Sequence, residues 1–207
     1  MDRLRRRVLL AGMLGSPLLG GTIAALSLAQ YAFMRSLGWH PLAAPTVDWP
    51  SGLALGPYGW AMDVAFVVGG SLMAVFGHGV GRLLASGSAA PPRALSIGGA
   101  LLACAGAGLA LLAFHTDPTN LPWPRTWHGA IHDAAYVALG LALLPGMALL
   151  ALGMRRAGRP GLALYTALTL AAAVPGFIIK GWLFYVFLVA LLAWFPIVAW
   201  RAAGETR

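Results

Sequence analysis

Charged side chains are scarce in this sequence of 207 residues: Asp, Glu, Lys and Arg make up 10% of it, and only six residues are acidic. Soluble domains carry about 25% charged residues, so the composition excludes an ordinary soluble protein. Apolar residues make up 59% of the chain. In a bilayer, helices satisfy their own backbone hydrogen bonds, and the sequence therefore predicts an all-α integral membrane protein.

Cysteine is also nearly missing, because Cys104 is the only one. A single cysteine excludes an intrachain disulfide. It lies in the middle of an apolar run, where a thiol is usually unreactive. A disulfide scaffold is therefore not expected.

No polar stretch is long enough for a soluble domain, and the whole of 1–207 is predicted to form a single transmembrane domain. Its six apolar runs are each long enough to cross about 30 Å of hydrocarbon. They predict helices at about 8–34, 60–81, 94–114, 127–154, 161–179 and 182–200. A secretory signal is the alternative for the first run, but that run is about twice as long as a signal's apolar segment. Glycines in the first three runs predict close helix packing.

The basic residues give the predicted orientation. The net charge is +8, and eleven of the fourteen basic residues fall on one side of the six-helix arrangement: Arg3, Arg5, Arg6, Arg7, Arg82, Arg93, Arg155, Arg156, Arg159, Arg201 and Arg207. Arg35, Arg125 and Lys180 fall on the other side. By the positive-inside rule, both termini are predicted in the cytoplasm of a cell whose inner (plasma) membrane holds the protein. The charge is thus a topology signal, and no nucleic-acid partner is expected.

Polar residues concentrate in "HTDPTNLPWPRTWHGAIHD", residues 115–133, which holds three of the five histidines. His128 and His132 are four residues apart on a predicted helix, so their rings would project from one face about 6 Å apart. The short connection before them brings His115 and Asp117 near the same helix start. The topology places this stretch, together with Asp63 and Asp133, on the outer side.

Two histidines with a third histidine or a carboxylate match the ligand count of a catalytic zinc site. The predicted metal ligands are His115, Asp117, His128 and His132. Asp133 or Asp63 would act as general base or support a ligand. Haem is a second cofactor hypothesis, with His115 and His132 as axial ligands.

A structural interpretation of the same stretch stays open beside the metal hypothesis. Asp117 precedes a proline and opens a turn, Thr126 is a candidate N-cap, and histidines at an interface can bond loop carbonyls. Asp63 could pair with Arg35 at a similar depth. In this interpretation the stretch only closes a helical hairpin.

The segment "FHTDP", residues 114–118, followed by "WHGAIHD", residues 127–133, resembles the bacterial and archaeal membrane family known as domain of unknown function 998. The block "LALGPYGWAMDVAFVVGGSLMAVFG", residues 53–77, is similar to that family's turn into the second helix. The resemblance spans nearly the whole chain. It implies a multi-pass membrane fold and carries over Asp117 and His132 as positions of interest, while the family name supplies no reaction.

Four functions are compatible with the sequence. The leading hypothesis is an accessory or structural subunit, whose partners would be the lipid bilayer and other membrane proteins. A metal-dependent intramembrane hydrolase with an outward-facing His/Asp site is the first alternative, so enzyme activity stays undecided. The others are a haem-, quinone- or lipid-binding protein and, since neither a helix-repeat pair nor a charged midplane is found, a transporter ranked last.

Overall fold

The computed structural model describes residues 3–41, 49–85, 91–118, 125–178 and 182–204. Over these ranges the chain forms seven α-helices and one 3₁₀-helix, which confirms the all-α prediction. The helices are α1 (Arg3–Ala29), α2 (Tyr31–Ser36), the 3₁₀-helix (Ser51–Leu55), α3 (Gly59–Leu84), α4 (Arg93–Leu111), α5 (Trp127–Arg156), α6 (Pro160–Ile178) and α7 (Trp182–Gly204). Of the basic residues used for topology, Lys180 and Arg207 lie outside the described ranges.

Five helices, α1, α3, α4, α5 and α7, are long and apolar enough to cross a membrane. The remaining long helix, α6, is apolar over the shorter range Pro160–Gly176. Large apolar side chains cover the outside of the bundle; Leu28 is 80% exposed and Leu141 is 72% exposed. Such a surface is stable against lipid tails and not against water, so the chain is a multi-pass membrane protein.

The long helices close into a ring. Each one packs against the next in the order α1, α3, α4, α5, α6, α7, and α7 returns to α1. At one end Arg5 donates a hydrogen bond to the carbonyl of Ala202 over 3.5 Å, which ties the first helix to the last. The ring encloses the space in which the candidate site lies.

The seam between α3 and α4 is a close contact in the ring, where glycines face backbone. A methyl group placed on Gly77 would lie 2.5 Å from the backbone nitrogen of Ala103, and one placed on Gly70 would lie 2.5 Å from that of Ala110. Real side-chain carbons do not approach backbone so closely. The predicted role of glycine in helix packing is confirmed here, because only glycine permits this approach.

The two ends of the bundle differ in chemistry. We call the end with Arg5 and Ala202 the termini end, and the end where α4 leads into α5 the histidine end. Ten of the described arginines lie at the termini end: Arg3, Arg5, Arg6, Arg7, Arg82, Arg93, Arg155, Arg156, Arg159 and Arg201. Arg35 and Arg125 lie at the histidine end, together with four of the five histidines.

The first predicted helix, 8–34, is wrong as a single element. It divides at Gln30, whose backbone has φ −112° and ψ 23° between α1 and α2. The Gln30 side chain donates to the carbonyl of Leu53 over 3.0 Å and accepts from the backbone nitrogen of Tyr58 at 3.1 Å. These bonds hold the 3₁₀-helix and the start of α3 against the end of α1, and a buried amide with two partners is stable inside a bundle.

Candidate functional site

The predicted site residues all lie at the histidine end, but on three different structural elements. Asp63 is in the second turn of α3, His115 and Asp117 follow α4, and His128, His132 and Asp133 are in the first two turns of α5. Within the described residues, no three His, Cys, Asp or Glu side chains form a group that could hold a metal ion. The residues are brought near one another, yet they divide into separate pairs.

Asp117 caps the start of α5. Its carboxylate accepts hydrogen bonds from the backbone nitrogen of Thr126, at 3.0 Å, and from the Thr126 hydroxyl. Thr126 in turn accepts from the backbone nitrogen of Gly129 at 3.2 Å, which confirms it as the N-cap. The Thr126 hydroxyl bond holds the pKa of Asp117 below its ordinary value. A carboxylate at a helix N-terminus also suits the positive end of the helix dipole.

Gly129 makes room for this carboxylate. A methyl group at position 129 would collide with the Asp117 side chain. The glycine at the position where a zinc-protease helix would carry glutamate therefore has a packing role. It lets the loop after α4 lie directly on the first turn of α5.

His128 joins the same loop. Its Nδ1 lies 2.9 Å from the carbonyl oxygen of His115 and 3.1 Å from the Thr126 hydroxyl. A carbonyl only accepts, so Nδ1 donates to it. This bond fixes the turn between α4 and α5.

His132 is buried, with 5% of its surface exposed. Its Nδ1 lies 2.7 Å from the carbonyl oxygen of Phe114 and 3.1 Å from that of Leu112. These carbonyls follow the end of α4, where helical partners are lacking. His132 therefore satisfies the C-terminal end of α4 from the neighbouring helix, and its other nitrogen, Nε2, lies 3.0 Å from the hydroxyl of Ser51.

Asp63 and His115 form the second pair. Asp63 Oδ2 lies 2.9 Å from His115 Nε2, while Asp63 Oδ1 is buried with no hydrogen-bond partner among the described residues. The alternative pairing of Asp63 with Arg35 is wrong. Arg35 instead reaches His40 and the carbonyl of Trp39, because it lies on the short α2 and its side chain turns toward the following loop.

Asp133 is separate from both pairs. Its Oδ2 lies 3.9 Å from Nε of Arg125, and half of the side chain is exposed. An exposed ion pair of this length contributes little stability. Asp133 nevertheless lies at the mouth of a cavity, described next, and so remains near the buried histidine that precedes it in the chain.

An elongated cavity of about 130 Å³ runs from the histidine end into the middle of the bundle. Its walls come from α1, α3, α4, α5, α7 and the chain around Trp49. The inner part is lined by leucine and phenylalanine side chains such as Leu143 and Phe187. At the histidine end the wall becomes polar, with Ser51, Thr116 and His132.

The residues that line the cavity extend over about the thickness of one lipid leaflet. His132 and Leu143 both line it and are eleven residues apart on α5, which is about 16 Å along a helix axis. Half of the roughly 30 Å hydrocarbon core is about the same length. The volume is comparable to the roughly 150 Å³ apolar cavities that admit a small hydrocarbon, so the space suits a short segment of an apolar chain.

Aromatic side chains cover the cavity between α1 and α7. Trp49 stacks on Trp39, with ring centres 6.0 Å apart, and lies 4.8 Å from the ring of Tyr185. The indole nitrogen of Trp49 donates to the Ser27 hydroxyl over 3.0 Å. This cover holds the loop that carries Ser51 against the helices.

Sequence reasoning missed Ser51 and Gln30 as site residues. Ser51 carries no local signal, because its partner His132 is 81 positions away. Gln30 did carry one: it is the only glutamine in the chain and interrupts an apolar run. A lone polar side chain in such a run indicates a buried hydrogen-bonding role.

The zinc prediction stays a prediction. His132 and Asp117 would have to give up hydrogen bonds to ligate a metal, since both nitrogens of the first and both oxygens of the second are already engaged. The same holds for haem, which would need His132 and His115 as axial ligands. The arrangement as it stands places the imidazole of His132 and the hydroxyl of Ser51 at the end of an apolar cavity.

The family model described as "Protein of unknown function (DUF998)" matches residues 18–201 of the chain. That range holds every residue of the candidate site, from Gln30 to Asp133. The resemblance predicted from residues 114–118 and 127–133 is confirmed. Comparisons with curated proteins and with solved structures found no match.

Proposed function

We propose that this chain, which belongs to the DUF998 family, is a lipid-binding membrane protein whose cavity holds a segment of the hydrocarbon chain of a neutral, single-chain lipid. The observation that carries the proposal is the elongated apolar cavity that ends at the polar pair of His132 and Ser51. Binding sites for small molecules are mostly apolar with a few placed polar groups. The inner walls would take the hydrocarbon chain, and the polar end would orient the head group.

The polar end favours an uncharged head group. The hydroxyls of Ser51 and Thr116 and the imidazole of His132 can donate or accept hydrogen bonds. The charged side chain in the wall is Asp133, which would repel an anionic head. A hydroxyl or ester head group therefore suits this end better than a free carboxylate.

We also propose six spans with both termini in the cytoplasm. The position of α6 in the ring between α5 and α7 supports its counting as a span. The arginines of the termini end support the orientation through the positive-inside rule. The histidine end would then open toward the outer leaflet of the plasma membrane, and the lipid would come from that leaflet.

The experiment is photo-crosslinking with a monoalkylglycerol ether that carries a photoreactive group in its chain, on the purified chain in lipid nanodiscs. The expected crosslinks lie on peptides that include Leu143 or Phe187. The variant Leu188→Trp narrows the cavity, because Leu188 lines it, and should lose these crosslinks. The control Val189→Trp places the same side chain at a position that is 67% exposed on the outside of α7, and should keep them.

Crosslinks confined to exposed positions, or equal in both variants, would overturn the proposal. The thermal unfolding of both variants shows whether each one folds. The hypothesis of an accessory subunit stays a prediction. It predicts a different result, namely that a larger complex copurifies with the chain.

A further inference from the structure

Ser51 and His132 meet in the wall of the cavity, and their contact has the geometry of a nucleophile with its base. The distance from Ser51 Oγ to His132 Nε2 is 3.0 Å, within the range for proton transfer between such groups. Both side chains line the cavity. The Ser51 hydroxyl therefore lies in the wall of an apolar cavity and next to an imidazole, where it could attack a bound ester.

The environment of His132 decides which nitrogen carries the proton. Nδ1 faces the carbonyl oxygens of Phe114 and Leu112, at 2.7 and 3.1 Å. Because carbonyl oxygens only accept, the neutral ring carries its proton on Nδ1. Nε2 then has a free electron pair and accepts the hydrogen bond from Ser51. The end of α4 thus does for His132 what a third residue does in a hydrolase triad: it fixes the tautomer and the ring orientation.

Other serines lack this arrangement. Ser16 also lines the cavity, but its Oγ is buried without a hydrogen-bond partner among the described residues. Ser27 accepts from the indole of Trp49, and Ser36 donates to the carbonyl of Phe33. In the described part of the chain, Ser51 is therefore the serine in the cavity wall with an imidazole as its acceptor.

We propose that Ser51 and His132 are catalytic residues that hydrolyse a carboxylic ester of a single-chain lipid, an inference that rests on the proposed lipid binding. The segment of the acyl chain next to the ester lies in the apolar cavity, and the ester carbonyl lies beside Ser51 Oγ at its polar end. The reaction class is acyl transfer to serine and then to water. No metal takes part in it.

The steps balance with water as the second reactant. Ser51 Oγ attacks the carbonyl carbon while its proton moves to His132 Nε2. The bond from that carbon to the alcohol oxygen breaks, and the alcohol leaves with the proton from Nε2. Water then attacks the acyl-serine, gives a proton to Nε2, and Ser51 Oγ leaves with it as the fatty acid is released.

The first measurement uses a long-chain alkyl fluorophosphonate, which forms a stable bond to an activated serine, on the purified full-length chain in nanodiscs. We expect one label, located on Ser51 by mass spectrometry. Labelling should be absent in Ser51→Ala and strongly reduced in His132→Gln. The matched control is Ser36→Ala, a serine at the same end of the bundle and away from the cavity, which should label as the parent does.

The second measurement is hydrolysis of a long-chain monoacylglycerol. General-base catalysis typically contributes about 100-fold or more to a rate, so His132→Gln and Ser51→Ala should each lose at least that much. Ser36→Ala should retain the parent rate. Crosslinking of the ether lipid, which cannot be hydrolysed, is measured on the parent and on Ser36→Ala and should be equal in the two.

The outcomes separate the two proposals. Ether-lipid crosslinks in the cavity without serine labelling or hydrolysis would overturn the catalytic pair and leave lipid binding standing. If the parent protein forms no crosslinks in the cavity, both the lipid-binding proposal and the catalytic pair are overturned. Labelling on a serine other than Ser51, or equal hydrolysis in Ser51→Ala and the parent, would also overturn the catalytic pair.

Discussion

The seam between α3 and α4 and the space between α1, α5 and α7 are two solutions to packing helices in lipid. At the seam, Gly70 and Gly77 face the backbone of α4, and no room is left for even a methyl group. Around the cavity, α7 presents Phe184 and Phe187, and α5 presents Leu139 and Leu143. Large side chains hold these helices apart, and the volume between them stays accessible.

The difference between the seam and the cavity shows which contacts stabilise the bundle and which leave space for a ligand. Helices in lipid associate through close van der Waals contact and not through a hydrophobic force between them. The seam supplies that contact, so the opposite side of the ring can tolerate an unfilled space. The fold is closely packed on one side and holds a ligand-sized space on the other.

The largest expected loss of stability comes from a substitution at the seam between α3 and α4. Gly77→Val would push a branched side chain into the backbone of α4 and should lower the free energy of unfolding by about 3 kcal/mol, the upper end of the usual cost of overpacking. Gly21→Val is the control, because a side chain at Gly21 meets nothing within 4 Å. Thermal unfolding in detergent measures both. Equal losses in the two variants would show that the seam is not the tight contact.

A smaller loss of stability is expected at the histidine end, where Asp117→Asn removes the carboxylate that caps α5. The pKa of Asp117 is lowered from its ordinary value of 3.8, so its stabilisation is complete above that value and is lost as the pH falls through the lowered pKa. The unfolding temperature of the variant should be lower than that of the parent at neutral pH, by a few degrees.

The gap between Asp117→Asn and the parent should then close as the pH falls below 3.8. A series of unfolding curves from neutral to acid pH measures it. A gap that stays constant over the whole series would show that the carboxylate charge has no part in the cap. Thr126→Ala, which removes the other half of the cap, should cost about 1 kcal/mol in the free energy of unfolding.

The smallest effect is expected inside the cavity. Ser16→Ala removes a buried hydroxyl that has no partner among the described residues, and should leave the free energy of unfolding unchanged or raise it by about 1 kcal/mol. Ser71→Ala, at an exposed position of α3, is the neutral control. A clear loss of stability in Ser16→Ala would indicate that the hydroxyl contacts a bound ligand or water.

The two histidines of α5 show what the local sequence pattern could predict and what it could not. Their spacing of four residues correctly places both at the start of one helix. Their rings nevertheless serve different partners: His128 bonds the loop carbonyl of His115, and His132 bonds the end of α4 and Ser51. The shared face did not produce a shared ligand, because backbone carbonyls and a hydroxyl compete for the ring nitrogens.

Much of the architecture was determined by the sequence alone. The scarcity of charge and the long apolar runs required membrane helices, and five of the long helices have the length and composition to span. The N-cap at Thr126 and the close-packing glycines could also be predicted, because each depends on residues near in sequence or on one small side chain. Local chemistry is enough for features of that kind.

Only the tertiary structure decided the candidate site. Gln30 holds the loop of Ser51, α4 ends against His132, and the closing of the ring brings Ser51 within 3.0 Å of a ring nitrogen 81 positions away. The cavity, too, depends on which side chains of five helices face one another. Helix periodicity fixes what each helix presents, while the partner it meets is fixed by the packing of the whole ring.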